Sequence, residues 1–271
     1  DSLLDQDVSL PFEIIVVGQD KYGIVESYQD ERIKFIKTAE PIPPAMARNL
    51  GAASSTGDYL VFTDSDCIPE KNFLEMHLEA NDGESDRLLG GAVDICNDQN
   101  YWVLSDNIAT FHETLSHTEP GPRDILPSLN LSLSKILWDQ IGGFDITFPK
   151  PAGEDADFSY RARQLGANLN FTPNASVEHH HQRGSFRLLI EHAYNFGKYS
   201  IKINPKYASV TKMPKILIRN NWIVIFLSPM LALSITLKIL FYEKLPIKYW
   251  HTLPVIFLAK IAWCFGAALR K

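Results

Sequence analysis

Gly57-Asp58-Tyr59-Leu60-Val61-Phe62-Thr63-Asp64-Ser65-Asp66 is the stretch that decides how this chain reads. Residues 59–62 form a short apolar run, the pattern of a buried strand. Two carboxylates, Asp64 and Asp66, stand one residue apart where that strand opens into a loop, and Pro69 keeps the following residues out of a helix. Open α/β sheets bind ligands at the carboxyl ends of their strands. There, Asp64 and Asp66 can supply part of the oxygen shell of Mg2+ or Mn2+ and leave positions free for substrate phosphates. An isolated Asp-x-Asp is also a common surface turn, so it is the preceding apolar strand that favours the metal reading.

A second acidic cluster, Gly153-Glu154-Asp155-Ala156-Asp157, follows some way downstream at a predicted helix start. Acidic residues in a first helical turn also complement the helix dipole. Together, a cation clamp for a diphosphate and a separate carboxylate meet the needs of moving a sugar from a nucleotide carrier. The net charge of -6 excludes a general nucleic-acid binder, which would carry a basic footprint. Cys67, Cys96 and Cys264 show no metal-ligand spacing, and three is an odd count, as fits a reducing compartment. Cys67 beside the Asp pair reads as a small packed residue. A chain of 271 residues has room for one large α/β domain with an appendage.

Working outward, residues 12–17 read as a buried strand and 32–36 as a weaker one. Pro44 opens a helix to about residue 54, another helix covers about 70–79, and 88–95 is a strand. Residues 97–127 show no period. A strand over 128–133 leads into a helix over 135–141 stopped by Gly142-Gly143. The helix from Asp155 carries Phe158, Ala162 and Leu165 on one face, and residues 168–171 and 175–181 are the last strand candidates. Near residue 205 the composition shifts. Residues 222–237 hold no ionised group, and 253–269 are apolar apart from Lys260. Each run is near the short limit for crossing a bilayer. Lys212, Lys215 and Arg219 precede the pair and Arg270 and Lys271 follow it, which would set both ends on the cytoplasmic side. Lys244 and Lys248 between the runs leave a spanning pair, an interfacial hairpin and a buried helical pair open.

The ordered series Phe12-Glu13-Ile14-Ile15-Val16-Val17, Ala47-Arg48-Asn49-Leu50-Gly51, residues 57–66, Gly142-Gly143-Phe144-Asp145 and Gly153-Glu154-Asp155-Ala156-Asp157-Phe158-Ser159-Tyr160-Arg161 resembles the family 2 glycosyltransferases. The resemblance covers about residues 1–185. It implies an α/β fold of the GT-A type, a Rossmann-like mixed sheet flanked by helices. Here it would form a catalytic domain over 1–205, with a membrane-associated hydrophobic helical hairpin over 206–271. It implies a metal-dependent inverting transfer from a nucleotide-diphosphate sugar to a hydroxyl of a glycan or lipid-linked acceptor, in envelope or exopolysaccharide synthesis. The place would be the cytoplasmic face of a bacterial inner membrane.

Position by position, the resemblance assigns Asp64 and Asp66 to the Mn2+ or Mg2+ and the diphosphate. Asp155 becomes the general base, with Glu154 and Asp157 as supporting or acceptor-orienting groups. Arg48 approaches the nucleotide and Asn130 lines the sugar pocket. In His179-His180-His181 the alternate residues His179 and His181 share a face and are candidate metal ligands, since neutral imidazole ligates Mn2+. Two departures stand out. The family's pattern opens with a strand and helix that precede residue 12, and after Val17 the family has an Asp pair where this chain has Gly18-Gln19-Asp20. Gln19 or Asp20 is then the candidate to contact the nucleotide. Two other readings compete: a catalytically degenerate membrane-bound sugar-nucleotide binder or scaffold, and a haloacid dehalogenase-type phosphatase with Asp64 as nucleophile.

Overall fold

A computed structural model describes residues 1–95, 99–200, 204, 207 and 214–269. Cys96, Lys212, Arg270, Lys271 and the expected domain boundary at 205/206 lie outside the described residues. In chain order the elements are β1 (Ile14–Gly18), α1 (Ile24–Ser27), β2 (Ile33–Lys37), α2 (Pro44–Ser54), β3 (Tyr59–Thr63), β4 (Cys67–Pro69) and α3 (Phe73–Asn81). Then come β5 (Arg87–Asp94), α4 (Tyr101–Phe111), β6 (Gly121–Pro122), β7 (Asn130–Ser134), α5 (Lys135–Ile141), α6 (Glu154–Gln164) and β8 (Asn168–His179). The chain closes with α7 (Phe186–Lys198), α8 (Lys215–Arg219), α9 (Asn221–Leu237) and α10 (Leu253–Ala268).

The centre is a mixed sheet in the order β3-β7-β5-β8-β4, with β6 on β8. β5 and β8 run parallel, whereas β3–β7, β5–β7 and β4–β8 are antiparallel. β1 and β2 form a separate parallel pair with α2 packed on β1. This is the mixed α/β architecture that the sequence predicts.

The last two strand candidates prove to be one strand, β8, which runs through Pro173. Proline is tolerated because the β5–β8 register slips between Gly90 and Ala92. That slip decides the fate of Asn130. Its Nδ2 donates to Ala92 O at 2.9 Å and Ala175 O at 3.0 Å, tying the carbonyls on either side of the irregularity. Gly91 must stay a glycine, because a Cβ there would lie 2.3 Å from Asn130 Oδ1 and 2.2 Å from Ala175 O. His77 Nε2 lies 2.7 Å from Asn130 Oδ1, and Ser132 Oγ is 2.8 Å from His77 Nδ1. One ring nitrogen donates and the other accepts, so His77 is neutral, and burial pushes its pKa down to about 4. Asn130, expected at the sugar pocket, is therefore a fully buried cross-link of the sheet.

The stretch without period holds α4. Its residues 103–109 are buried without a break, including Asp106 and Asn107. A helix enclosed on all sides shows no amphipathic repeat. One side meets the site corner, and the other shares an apolar core with α7, α10 and the turn before α10 (Leu104, Ile108, Leu189, Tyr249, Ile256). The C-terminal hairpin is thus packed against the α/β body.

Candidate active site

Three separated sequence motifs meet at the carboxyl end of β3. Asn49 clamps the glycine loop: its Nδ2 donates to Phe144 O and its Oδ1 accepts from Phe144 N, both at 2.8 Å. Phe144 stacks on Phe158 with ring centroids 4.3 Å apart, fixing α6 beneath the loop. Gly153, at φ 96°, turns the chain into α6, where a Cβ would lie 2.4 Å from Tyr199 O. That turn delivers Glu154 and Asp155 toward α2.

Arg48, one residue before the clamp, lies among the carboxylates. Its Nη2 donates to Asp64 Oδ1 at 2.6 Å and its Nη1 lies 3.5 Å from Glu154 Oε1. Glu154 is almost fully buried and its Oε2 has no hydrogen-bond partner. Half-buried Asp155 accepts a 2.5 Å bond from Ser128 Oγ. Burial raises the pKa of both carboxyls above the ordinary carboxylate range; Arg48 opposes the shift.

The other corner is made by β4. This three-residue strand pairs with the end of β8 in a register that sets Cys67 opposite His179. Asp66 Oδ2 lies 3.6 Å from His179 Nε2, and the His180 amide donates to Asp66 O at 2.8 Å. The His179 carbonyl accepts from Gln99 Nε2 at 2.9 Å and from Asn107 Nδ2 at 3.0 Å. With its amide nitrogen so committed, Asn107 turns Oδ1 to His179 Nδ1 at 2.8 Å. Nδ1 therefore carries a proton and Nε2 is the nitrogen that faces Asp66, able to pair with the carboxylate when protonated and to offer a lone pair to a cation when not. Pairing with His179 holds the Asp66 pKa below the ordinary value.

A divalent cation fits this corner. Ligand atoms of Asp66, Cys67 and His179 all lie within 4.8 Å of one another. Burial pushes the Cys67 thiol up to about 12, so the donors this corner offers are a carboxylate oxygen and an imidazole nitrogen. That set suits Mn2+ or Mg2+ better than a thiolate-seeking ion. Asp64 is not among these three and is engaged by Arg48 instead.

Three expected residues are placed elsewhere. His181 Nδ1 accepts from the Arg183 amide at 3.1 Å, which leaves the proton on Nε2, 3.2 Å from Asp106 Oδ2. It belongs to a buried cluster in which Asp106 accepts from Arg183 Nε at 2.6 Å and meets His192 Nδ1 at 2.8 Å. Neither nitrogen offers a lone pair to the Asp66 corner. Asp20 spends its carboxylate on the amides of Ile24, Val25 and Glu26, capping α1. Asp157 accepts from Arg161 Nε at 2.8 Å and from Tyr207 Oη at 2.7 Å. It faces a cleft of about 540 Å3 together with Gly143, Asp145, Tyr160 and Tyr207. Sequence reasoning missed Asn107 and Gln99, which sit in the stretch without periodic signal, and Ser128, which read only as the start of a strand.

The molecule is thus an α/β body with a corner that can take a cation and a separate carboxyl pair near the carboxyl end of β3. Residues 1–144 match the sequence profile of "Glycosyl transferase family 2", and the chain belongs to that family. It is 32% identical over 151 residues to the pre-mycofactocin glycosyltransferase of Mycobacterium tuberculosis, covering 51% of this chain and 30% of that protein. It is 22% identical over 171 residues to human polypeptide N-acetylgalactosaminyltransferase 15, covering 56% and 27%. The chain thus spans less than a third of the length of these relatives. Among solved structures, the fold resembles the Pyrobaculum calidifontis mannosyltransferase PcManGT in complex with GDP-Man and Mn2+ (TM-score 0.55, 16% identity, 95% of this chain and 68% of that one). It also resembles residues 1-349 of S. aureus TarS in complex with UDP (TM-score 0.53, 16% identity, 98% and 83%).

Proposed function

We propose that the chain carries the catalytic domain of a metal-dependent, inverting glycosyltransferase. It would move a sugar from a nucleotide-diphosphate sugar to a hydroxyl of a glycan or lipid-linked acceptor, at the cytoplasmic face of a membrane and in envelope polysaccharide synthesis. The observation that carries this reading is the β4–β8 pairing, which sets Asp66 beside His179 Nε2 and close to the Arg48 carboxylate cluster. Family membership supports it, as do structural neighbours whose complexes hold GDP-Man with Mn2+ or UDP.

Asp66 and His179 would hold the cation, which when bound offsets negative charge gathering on the departing nucleotide diphosphate. Arg48 keeps Asp64 in place and sets a fixed positive group near the phosphates. Asp155 accepts the proton of the acceptor hydroxyl as that oxygen bonds to the anomeric carbon. The bond from that carbon to the diphosphate oxygen breaks, and one displacement inverts the centre. Ser128 holds the Asp155 carboxylate in position, while the raised pKa makes it a stronger base than an exposed aspartate. Residues 1–205 serve as the catalytic domain in this reading and 206–271 as its membrane-facing part.

The test is calorimetric titration of UDP, GDP and dTDP into the chain, with and without Mn2+. The reading requires Mn2+-dependent binding of at least one of them. Absence of binding to all three would sink it.

A further inference from the structure

Helix α9 presents an apolar stripe that no part of the described chain covers. Trp222, Phe226, Met230, Leu233, Leu237 and Phe241 recur at steps of three and four and all lie exposed, Trp222 by 77% and Phe226 by 83%. They form one ridge about 28 Å long. The opposite face of α9, with Val224, Ser228, Ala232 and Thr236, is buried in the hairpin.

Charge indicates what covers the ridge. Residues 215–269 carry six Lys or Arg and one acidic residue, Glu243, in a chain whose net charge is -6. Lys215 lies before the ridge, and Lys244 and Lys248 follow it, all exposed. Trp222 at one end, and Tyr242 and Trp250 at the other, are exposed aromatics of the kind that settle at the headgroup level. An apolar ridge with basic ends fits the surface of an anionic bilayer.

The packing of α10 decides between lying on that surface and crossing it. α10 is held between α9 and α7. Gly197 and Gly266 let the α7 and α10 backbones touch: a Cβ on either would lie 1.9 Å from a carbonyl of the other helix. Lys260, in mid-α10, donates to Ala109 O on α4 at 2.6 Å. At the hairpin turn Lys238 pairs with Glu113, and His112 with Glu243. On the outer side, Arg187 and Glu191 of α7 line one surface cleft with Ala262 and Phe265 of α10. A spanning hairpin would carry those polar and charged groups into hydrocarbon, where they are costly.

We propose that α9 lies flat in one leaflet of an anionic bilayer with this ridge inward, so that the described hairpin rests on the membrane and does not cross it. The proposal deepens the membrane part of the function above. Vesicle binding is read without donor or acceptor, so it can fail while transfer stands, and the reverse.

The test is flotation of the full chain with sealed vesicles of phosphatidylcholine, with or without phosphatidylglycerol. Binding should be about tenfold stronger or more with phosphatidylglycerol. Phe226→Glu, at a site exposed in the fold, should weaken it by at least about tenfold. On sealed vesicles, Lys244→Cys should stay reactive toward a small membrane-impermeant maleimide added outside, scored against the parent chain. Unchanged binding by Phe226→Glu, or a Lys244→Cys that reacts only after detergent opens the vesicles, would overturn the proposal. So would a lipid-free dimer that Phe226→Glu dissociates, because the ridge would then belong to a second copy.

Discussion

Asp66 and Asp155 are the same side chain at two corners of one site, and their surroundings push them in opposite directions. Asp66 is partly exposed just before β4, and its pairing with His179 favours the ionised form. Asp155 sits in the first turn of α6, where burial favours the protonated form despite Arg48 and Ser128. Pairs of carboxyls driven apart in this way mark a division of labour between holding charge and moving protons. One corner is ready for a cation and the other for a proton, and Arg48 with Asp64 stands between them.

The strongest way to break this comparison is Asp155→Asn. It should lower transfer by about 10^3-fold, the usual scale of general-base loss, while Mn2+-dependent nucleotide binding stays within about twofold. Near-normal turnover in a steady-state assay would remove Asp155 from the role. Next, Asp66→Ala should weaken nucleotide binding in the presence of Mn2+ by about 10^2-fold, with little change in its absence. Calorimetry reads both arms, and equal losses with and without the ion would mean the corner holds no cation.

Arg48→Met probes the bridge between the corners. It takes the short charged hydrogen bond from Asp64, while the raised pKa lets buried Glu154 stay protonated, and should cost about 1.5–3 kcal/mol of stability, read by chemical denaturation at neutral pH. A variant as stable as the parent would mean that the Arg48–Asp64 pair contributes nothing to the fold. Asn107→Ala is milder: the Asp66 corner keeps its ligands but loses the group that fixes the His179 tautomer. Mn2+ affinity, followed by electron paramagnetic resonance, should fall by about tenfold. An unchanged affinity would show that His179 is oriented by its backbone alone.

The pH dependence sharpens the contrast with the smallest perturbation. A base must be deprotonated to act, and the Asp155 pKa is raised, so transfer should rise with pH along a limb above the usual aspartate range. The limb should persist at saturating Mn2+, which distinguishes it from titration of the cation corner. A rate at saturating Mn2+ that is flat down to ordinary aspartate pKa values would contradict the assignment.

Much of this molecule was legible in the sequence. The apolar run before Asp64, the proline that opens α2 and the glycines that stop α5 are local signals, and local signals fix elements. Asp64, Asp66, Asp155, Glu154, Arg48 and His179 were readable as candidates because their motifs occur in a recognisable order. Asn130 and His181 misled for a shared reason: each is a polar side chain whose partners are remote in sequence and buried in the fold. Asn130 is consumed by the register slip of β5 on β8, and His181 by Asp106 on α4. Asp20 misled because its carboxylate caps the three amides that follow it.

What the sequence determined by itself was the kind of chain: a mixed α/β body, two carboxylate clusters, and an apolar tail with basic flanks. Periodicity and residue type carry that information, since each element forms from its own neighbours. The tertiary structure alone decided which carboxylate meets which partner. Pairing between β4 and β8 brought residues more than a hundred positions apart to 3.6 Å, Asp66 to His179. Folding of the unperiodic α4 supplied the Asn107 that sets the imidazole. Docking of α10 against α7 and α9 left one face of α9 uncovered by the described residues, a result of packing that no run of apolar residues discloses.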